Sequence, residues 1–230
     1  VIIFALGIHN PMALLGLGLV IYAGVIIAGE YVRGVRARHK TTGESWPVAL
    51  WTLIGRNRRR YGGYLVHVGI VLMGVGIVGT HFYQQETQQA LAVGQSLSIG
   101  DYRITFRRLG TMDSGQADKR IVLAEVDVSQ GDQFLKTMLP YQEQYANGER
   151  MTPPALLSSM KEDLYVLLGG WEADGSLATF KVFINPLVNW LWLGGLVFIF
   201  GTLVAAWPSM AEERRAVHVE HKALSTSAVR

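Results

Sequence analysis

The chain has 230 residues, half of which are hydrophobic, and its mean hydropathy is +0.23. These values are unusual for a soluble globule and favour a protein whose solvent is the lipid bilayer. The formal net charge is only +3, and the basic residues crowd between two apolar runs, a distribution that indicates membrane topology and argues against nucleic-acid binding. The absence of cysteine excludes a structural disulfide, a thiolate nucleophile and a cysteine metal site.

The chain opens at Val1 inside an apolar run, without an initiator Met and without the basic segment that starts a signal peptide. We therefore expect it to be the carboxyl-terminal piece of a longer polytopic protein. Residues 1–32 are predicted to hold an apolar end followed by the first membrane span, from about Pro11 to Ala28. Asn10 is the predicted cap of this helix, and Pro11 suits its first position because no N–H bond is lost there.

Residues 33–60 carry eight lysines and arginines against a single acid, Glu44. Because basic clusters beside membrane spans stay on the cytoplasmic side, this segment is predicted to be a cytoplasmic loop. Its run from Arg56 to Arg60 is interpreted as a topology anchor that contacts anionic lipids. Residues 61–80 are the predicted second span, since roughly 20 apolar residues cross about 30 Å of hydrocarbon. This span leads out of the cytoplasm.

Residues 81–184 turn polar and hold short β-rich runs between turn signals. The predicted strands are residues 90–93, 102–106, 121–128, 164–168 and 178–184, and the predicted turns are Gly100-Asp101, Gly131-Asp132 and Asp174-Gly175. This pattern predicts a small antiparallel β-barrel or β-sandwich on the exterior side. The fold class is therefore a polytopic α-helical membrane protein of about three spans with an inserted β-domain.

Residues 185–207 are the predicted third span, which starts near Pro186. Trp190 and Trp192 would lie near one membrane interface and Trp207 at the other, as in an aromatic belt. Residues 208–230 are then a cytoplasmic tail of mixed charge without periodicity.

His67 is the only ionisable residue well inside a predicted span, about 9 Å from the arginine-rich end at 1.5 Å per residue. Such a residue is a functional candidate by default. Gly63, His67, Val71 and Gly74 share one helical face, which leaves a shallow slot around the imidazole. The residues alone leave four uses open: close packing of a neighbouring helix, a hydrogen bond to that helix, a proton relay, or axial ligation of a flat cofactor.

The other histidines are weaker candidates. His9 and His81 flank spans where an imidazole is usually solvated, His39 belongs to the basic segment, and His218 and His221 lie in the polar tail. The sequence has no carboxylate pair arranged for acid–base work, and no phosphate loop, nucleophile elbow or zinc spacing. No catalytic residue can be named.

Three stretches carry a resemblance to a known family. The first is residues 58–69, where three arginines and Gly62-Gly63 precede His67. The second joins residues 151–153 to the Asp-Leu-Tyr-Val strand at residues 163–169, and the third is residues 185–195 at the start of the last span. In order and spacing they resemble the carboxyl-terminal part of the CcmF/NrfE-type cytochrome c haem lyase subunit of bacterial cytochrome c maturation.

The resemblance implies that His67 matches a histidine that helps to ligate a haem b within the bacterial cytoplasmic (inner) membrane. Gly63 and Gly74 would line its slot. It further implies that a quinol supplies electrons and that the haem keeps the substrate haem reduced for thioether formation with apocytochrome c. The implied partners are the upstream membrane segments of the lyase, a haem chaperone and apocytochrome c, with the β-domain in the periplasm.

The family's tryptophan-rich segment, its two periplasmic histidines and its partner membrane histidine are not found in this sequence. We therefore expect the chain to be a haem-binding part of a lyase that is not active alone. The alternative is a non-catalytic, membrane-anchored docking or assembly subunit in which His67 only packs. Bound haem distinguishes the two hypotheses. A transporter subunit is a third, less favoured hypothesis, because the spans show no obvious pair of broken helices.

Overall fold

The computed structural model describes residues 10–113, 115 and 118–208. This part of the chain divides into a helical unit and a β unit, with boundaries after Val78 and after Asn189. The predictions for residues 1–9, which include His9, and for the tail from residue 209 onward, which includes His218 and His221, lie outside the described residues.

Helix α1 (Pro11–Thr42) begins as predicted. The side-chain oxygen of Asn10 accepts hydrogen bonds from the backbone N–H groups of Met12 at 2.9 Å and Ala13 at 3.3 Å. The helix ends at Gly43, whose φ of 73° gives the left-handed cap that glycine adopts without steric cost. The helix is longer than the predicted span because the arginines and lysine that end the apolar run are themselves good helix formers.

The basic segment, residues 33–60, is largely helical and not an irregular loop. After α1 ends, helix α2 covers Trp46–Arg56, and helix α3 (Arg58–Tyr83) starts two residues later. Arg38 binds both carboxylate oxygens of Glu44, at 2.6 and 2.8 Å, across the turn between α1 and α2. The His39 Nδ1 atom lies 2.6 Å from the backbone oxygen of the same glutamate. The Arg38–Glu44 ion pair therefore stabilises the turn between α1 and α2.

Helix α3 packs against helix α4 (Val188–Ala206) through glycines spaced seven residues apart. They are Gly62 and Gly69 on α3 and Gly194 and Gly201 on α4. A Cβ atom built at any of them would lie within 2.5–2.6 Å of backbone of the facing helix. We call this contact the glycine seam. Small residues at such a seam let two backbones approach closely, which is a main source of helix association in lipid.

Helices α1, α3 and α4 are each long and apolar enough to cross a membrane, which agrees with the predicted polytopic membrane protein. Helix α2 has 11 residues and spans only about 17 Å at 1.5 Å per residue, too short for about 30 Å of hydrocarbon.

Alanine substitutions at two adjacent glycines, one inside the glycine seam and one outside it, test whether the seam stabilises the fold. Gly194 faces α3, and an added Cβ would lie 2.6 Å from the Gly69 carbonyl oxygen and the Met73 nitrogen, whereas a Cβ at Gly195 has nothing within 4 Å. We expect Gly194→Ala to lower the thermal unfolding midpoint in detergent, since overpacking costs about 1–3 kcal/mol. Gly195→Ala should leave the midpoint unchanged or raise it, because alanine favours helix. Equal midpoints for the two variants would contradict the seam.

The described residues of the β unit form ten strands. In chain order they are β1 Gln85–Ala92, β2 Ser96–Ile99, β3 Tyr102–Asp113, β4 Lys119–Gln130, β5 Gln133–Met138, β6 Tyr141–Tyr145, β7 Arg150–Met151, β8 Ala155–Ser158, β9 Glu162–Trp171 and β10 Leu177–Pro186. One sheet has the order β1-β10-β9-β8 and the other β2-β3-β4-β6-β7, with β5 paired to β4. All the pairs are antiparallel. Of the two predicted architectures, this is the sandwich.

The two sheets bury one shared core. Alternate residues of β10 are buried, as expected for a strand with one face on a core. Phe106 of β3 and Phe180 of β10 are fully buried with ring centroids 5.2 Å apart. The predicted turns are confirmed by positive φ angles at Gly100, Gly131 and Gly175, a region that glycine enters freely.

A buried carboxylate joins two of the three stretches that carry the family resemblance. Asp163, at the start of the Asp-Leu-Tyr-Val strand, is only 4% exposed. It accepts hydrogen bonds from the Ser158 hydroxyl at 2.6 Å, the Ser159 N–H at 3.3 Å and the Asn189 side-chain amide at 3.0 Å. Three donors satisfy a group that would otherwise be costly to bury, so this aspartate has a structural role.

The surroundings of Tyr102 predict that the free energy of unfolding of the β unit depends on pH. Burial, assisted by the Glu162 carboxylate that accepts its hydroxyl at 3.2 Å, raises the pKa of Tyr102 from 10.0 to about 12. The unfolded chain would lose this proton first as pH rises, so the free energy of unfolding should fall between pH 10.0 and about 12. We expect Tyr102→Phe to reduce that slope in denaturant titrations followed by circular dichroism. An identical slope in wild type and variant would show that Tyr102 does not contribute.

Candidate functional site

Three faces of α3 meet different surroundings. One face forms the glycine seam with α4, and a second packs on α1 through Tyr64, Val71, Gly74 and Val78. The remaining face is open, and its exposed members include His67, Ile70 and Ile77. This face is therefore exposed because α1 and α4 pack on the other two faces of α3.

His67 lies on this open face with its ring fixed by its own helix. The Nδ1 atom is 2.8 Å from the carbonyl oxygen of Gly63, one turn earlier. Because a carbonyl only accepts, Nδ1 is the donor in this hydrogen bond, which leaves Nε2 as the lone-pair atom of the neutral imidazole. An imidazole whose Nδ1–H is bound to a backbone carbonyl, with Nε2 free, has the tautomer and orientation that metal-ligating histidines use.

The two glycines predicted to line the slot, Gly63 and Gly74, have different surroundings in the structure. Gly63 stays beside His67, and a Cβ there would have nothing within 4 Å, so space is open next to the imidazole. Gly74 instead faces α1, where a Cβ would lie 2.7 Å from a methyl carbon of Val20. The slot near the ring is thus bounded by Gly63, and the volume at Gly74 is filled by a side chain of α1.

The sequence reasoning missed a polar cluster at the arginine-rich end of α3. The Glu30 carboxylate of α1 accepts from Arg60 at 3.1 Å and from the Tyr64 hydroxyl at 3.2 Å, and it also pairs with Arg33. Arg60 donates to the Tyr64 hydroxyl at 3.1 Å. Glu30 lies just past the predicted end of the first span, and a lone acid between an apolar run and arginines was the signal that could have found it.

Arg60 and His67 are seven residues apart on α3, which places them on the same side of the helix about 10 Å apart along the axis. The Glu30 cluster (Glu30, Arg33, Arg60 and Tyr64) therefore lies two turns from the imidazole.

The other described histidines have different surroundings. His39 binds the turn after α1, and His81 is exposed beside the Phe82 ring, at 4.7 Å between centroids. In residues 10–113, 115 and 118–208, no group of three or more His, Asp or Glu side chains is placed to hold a metal ion. Any metal at His67 would need its other ligands from a cofactor or from other protein segments.

Comparisons with known proteins bear on the β unit and on the whole chain. The family model described as the CcmF C-terminal β-sandwich matches residues 82–186. The cytochrome c-type biogenesis protein CcmF of Escherichia coli strain K12 is 27% identical over 205 residues, which cover 88% of this chain and 29% of the relative. CcmF of Pseudomonas fluorescens is 29% identical, covering 80% of this chain and 26% of the relative.

The predicted resemblance to the carboxyl-terminal part of the CcmF/NrfE proteins is confirmed. The probable NrfE protein of Escherichia coli strain K12 is also similar, with 25% identity over 70% of this chain and 29% of the relative. The chain thus spans less than a third of the length of these CcmF and NrfE relatives.

A solved structure titled Cytochrome c Heme Lyase CcmF has the same fold. The TM-score is 0.59 at 20% sequence identity, and the match covers 85% of this chain and 39% of that chain. The likeness includes more than the sandwich, since the β unit alone makes up less than that share of the chain.

The Glu30 cluster predicts coupling between α1 and α3. Glu30→Gln and Arg60→Gln should each lower the thermal unfolding midpoint in detergent, because each removes the charge that the other side chain binds. The double variant should lose less than the sum of the two single losses, the signature of a direct pair. Midpoint losses that simply add would show that Glu30 and Arg60 act independently.

Proposed function

We propose that this chain is the haem-binding part of a cytochrome c haem lyase, in which His67 would ligate the iron of a haem b. The observation that carries the proposal is the imidazole on the open face of α3, where the Gly63 carbonyl holds Nδ1 and no described residue hydrogen-bonds to Nε2. The similarity to CcmF and NrfE proteins, which are named for cytochrome c biogenesis, supports the same assignment.

The residues around His67 suit a flat macrocycle. Gly63 leaves open space beside the ring, so the edge of a planar group can approach the helix backbone. Ile70 adds an exposed apolar surface one turn further along. The hydrogen bond to the Gly63 carbonyl orients the imidazole and increases its basicity toward a metal.

The haem, when bound, would store an electron received from a quinol and keep the substrate haem reduced for attachment to apocytochrome c. The role of this chain would be to hold and orient the His67 imidazole within the hydrocarbon region, where the scarcity of water limits solvent access to the iron. A further ligand to the haem iron and the handling of apocytochrome c would come from other segments of the lyase, since this chain spans less than a third of its CcmF relatives.

The proposed topology places the basic segment between α1 and α3 in the cytoplasm and the sandwich in the periplasm of a bacterial inner membrane. It rests on the excess of arginine and lysine in residues 33–60 and on the three membrane-length helices. A haem chaperone and apocytochrome c would then meet the protein from the periplasmic side.

The alternative, a membrane-anchored docking subunit in which His67 only packs, is less well supported. The imidazole is exposed, and its hydrogen bond to Gly63 stays within α3.

Reduced-minus-oxidised visible spectra of the detergent-purified assembly test the ligand. We expect a six-coordinate b-type signal in wild type, its loss in His67→Ala, and partial recovery in His67→Gly when imidazole is added, because free imidazole can replace the missing ring. His81→Ala serves as the control and should keep the full signal, since His81 lies at the far end of α3. A folded wild-type assembly without haem, or an unchanged spectrum in His67→Ala, would favour the docking subunit.

A second variant tests the space beside the ligand. Gly63→Leu leaves His67 in place and meets no neighbouring atom at Cβ, so the fold should persist while haem content falls. Gly18→Leu, at another helical glycine with nothing within 4 Å, is the matched control and should keep its haem.

A further inference from the structure

A second candidate site lies in the helical unit, away from the open face of α3. Helix α2, the start of α3 and the last turns of α4 enclose a cleft of about 390 Å³. It is lined by Trp51, Ile54, Gly55, Arg58, Phe200, Leu203, Val204 and Trp207. All but one of these residues are uncharged, and the exception is Arg58. We call this the α2–α4 cleft.

The tryptophans indicate where the cleft meets the membrane. Trp51 is 81% exposed and Trp207 is 65% exposed. Such side chains are enriched at the boundary between hydrocarbon and headgroups. Helix α2 itself carries no charge before Arg56 and is too short to span, so it suits a position in the interface plane. The cleft therefore opens at headgroup depth, with its apolar walls toward the acyl chains.

Arg58 gives the cleft a positive charge that pairs with no carboxylate of the described residues. Its guanidinium donates to the backbone oxygen of Pro208 at 3.3 Å, which holds it beside the last turn of α4. The two acids of the described helical unit are engaged elsewhere: Glu30 binds Arg33 and Arg60, and Glu44 binds Arg38. Arg56 adds a further positive charge close by in the chain.

We propose that the α2–α4 cleft binds one anionic phospholipid, with an acyl chain between α2 and α4 and the phosphate on Arg58. An apolar cleft with a basic mouth at the end of membrane helices matches both halves of such a molecule. A lipid of net negative charge neutralises Arg58, whereas a zwitterionic lipid brings its own cation beside the phosphate and a neutral ligand brings no anion. The α2–α4 cleft does not include His67, so the lipid proposal can be tested independently of haem binding.

Native mass spectrometry of the delipidated, detergent-purified protein tests the charge. The probes are dioleoyl phosphatidylglycerol and dioleoyl phosphatidylcholine, added singly. We expect one tightly bound phosphatidylglycerol, preferred over phosphatidylcholine, and about fivefold weaker phosphatidylglycerol binding in Arg58→Gln, since one basic residue at an anionic headgroup is worth about 1 kcal/mol. Arg36→Gln removes an exposed arginine of α1 outside the cleft and should leave that affinity unchanged.

The shape of the cleft is tested by Gly55→Leu. A Cβ at Gly55 meets nothing within 4 Å, so the leucine should enter the cleft without disturbing the helices and reduce lipid occupancy, whereas Gly18→Leu should not. Three outcomes would overturn the proposal: equal binding of the two lipids, equal loss in Arg58→Gln and Arg36→Gln, or no bound lipid in wild type because another protein segment fills the cleft.

Discussion

The close approach of α3 and α4 at the glycine seam is the constraint on which the helical unit depends. Backbone meets backbone at Gly69 and Gly194, where even a methyl group would lie 2.6 Å from main-chain atoms. In lipid, where apolar side chains gain little by leaving the solvent, such contact between small residues is what holds helices together. With one face of α3 committed to α4 and another to α1, the face of His67 is left open.

The ion pairs of the described helical unit lie beyond the apolar runs of its helices. Glu30 joins α1 to α3 through Arg60 and Tyr64, and Glu44 ties the end of α1 to the turn before α2 through Arg38. Each of the two carboxylates pairs with arginine, which lowers the free-energy cost of placing charges near a low-dielectric medium. Arg58 faces the α2–α4 cleft and, among the described residues, binds a backbone carbonyl and no carboxylate, and this difference makes the cleft a candidate for an anion.

The β unit shows how a short motif can have a structural and not a chemical meaning. The Asp-Leu-Tyr-Val strand and the Asn-Pro segment are far apart in sequence, yet Asp163 and Asn189 share a hydrogen bond at 3.0 Å. Together with Ser158 and Ser159 they satisfy a buried carboxylate. In this chain these two stretches therefore meet in a structural contact of the β unit, whereas the candidate ligand lies on α3.

Hydropathy and turn chemistry by themselves determined the three membrane-length helices, the cap at Asn10 and five of the ten strands, because these features depend on residues adjacent in the chain. Strands β2 and β5–β8 are only two to six residues long and were not predicted, since they form by pairing with longer neighbours. From the sequence, His67 was identified as an ionisable residue inside a span, with Gly63, Val71 and Gly74 on the same helical face. Only the tertiary structure decided which face of α3 stays open, that Val20 fills the space at Gly74, and that α2 and α4 enclose a cleft around Arg58, because each depends on which helices pack together.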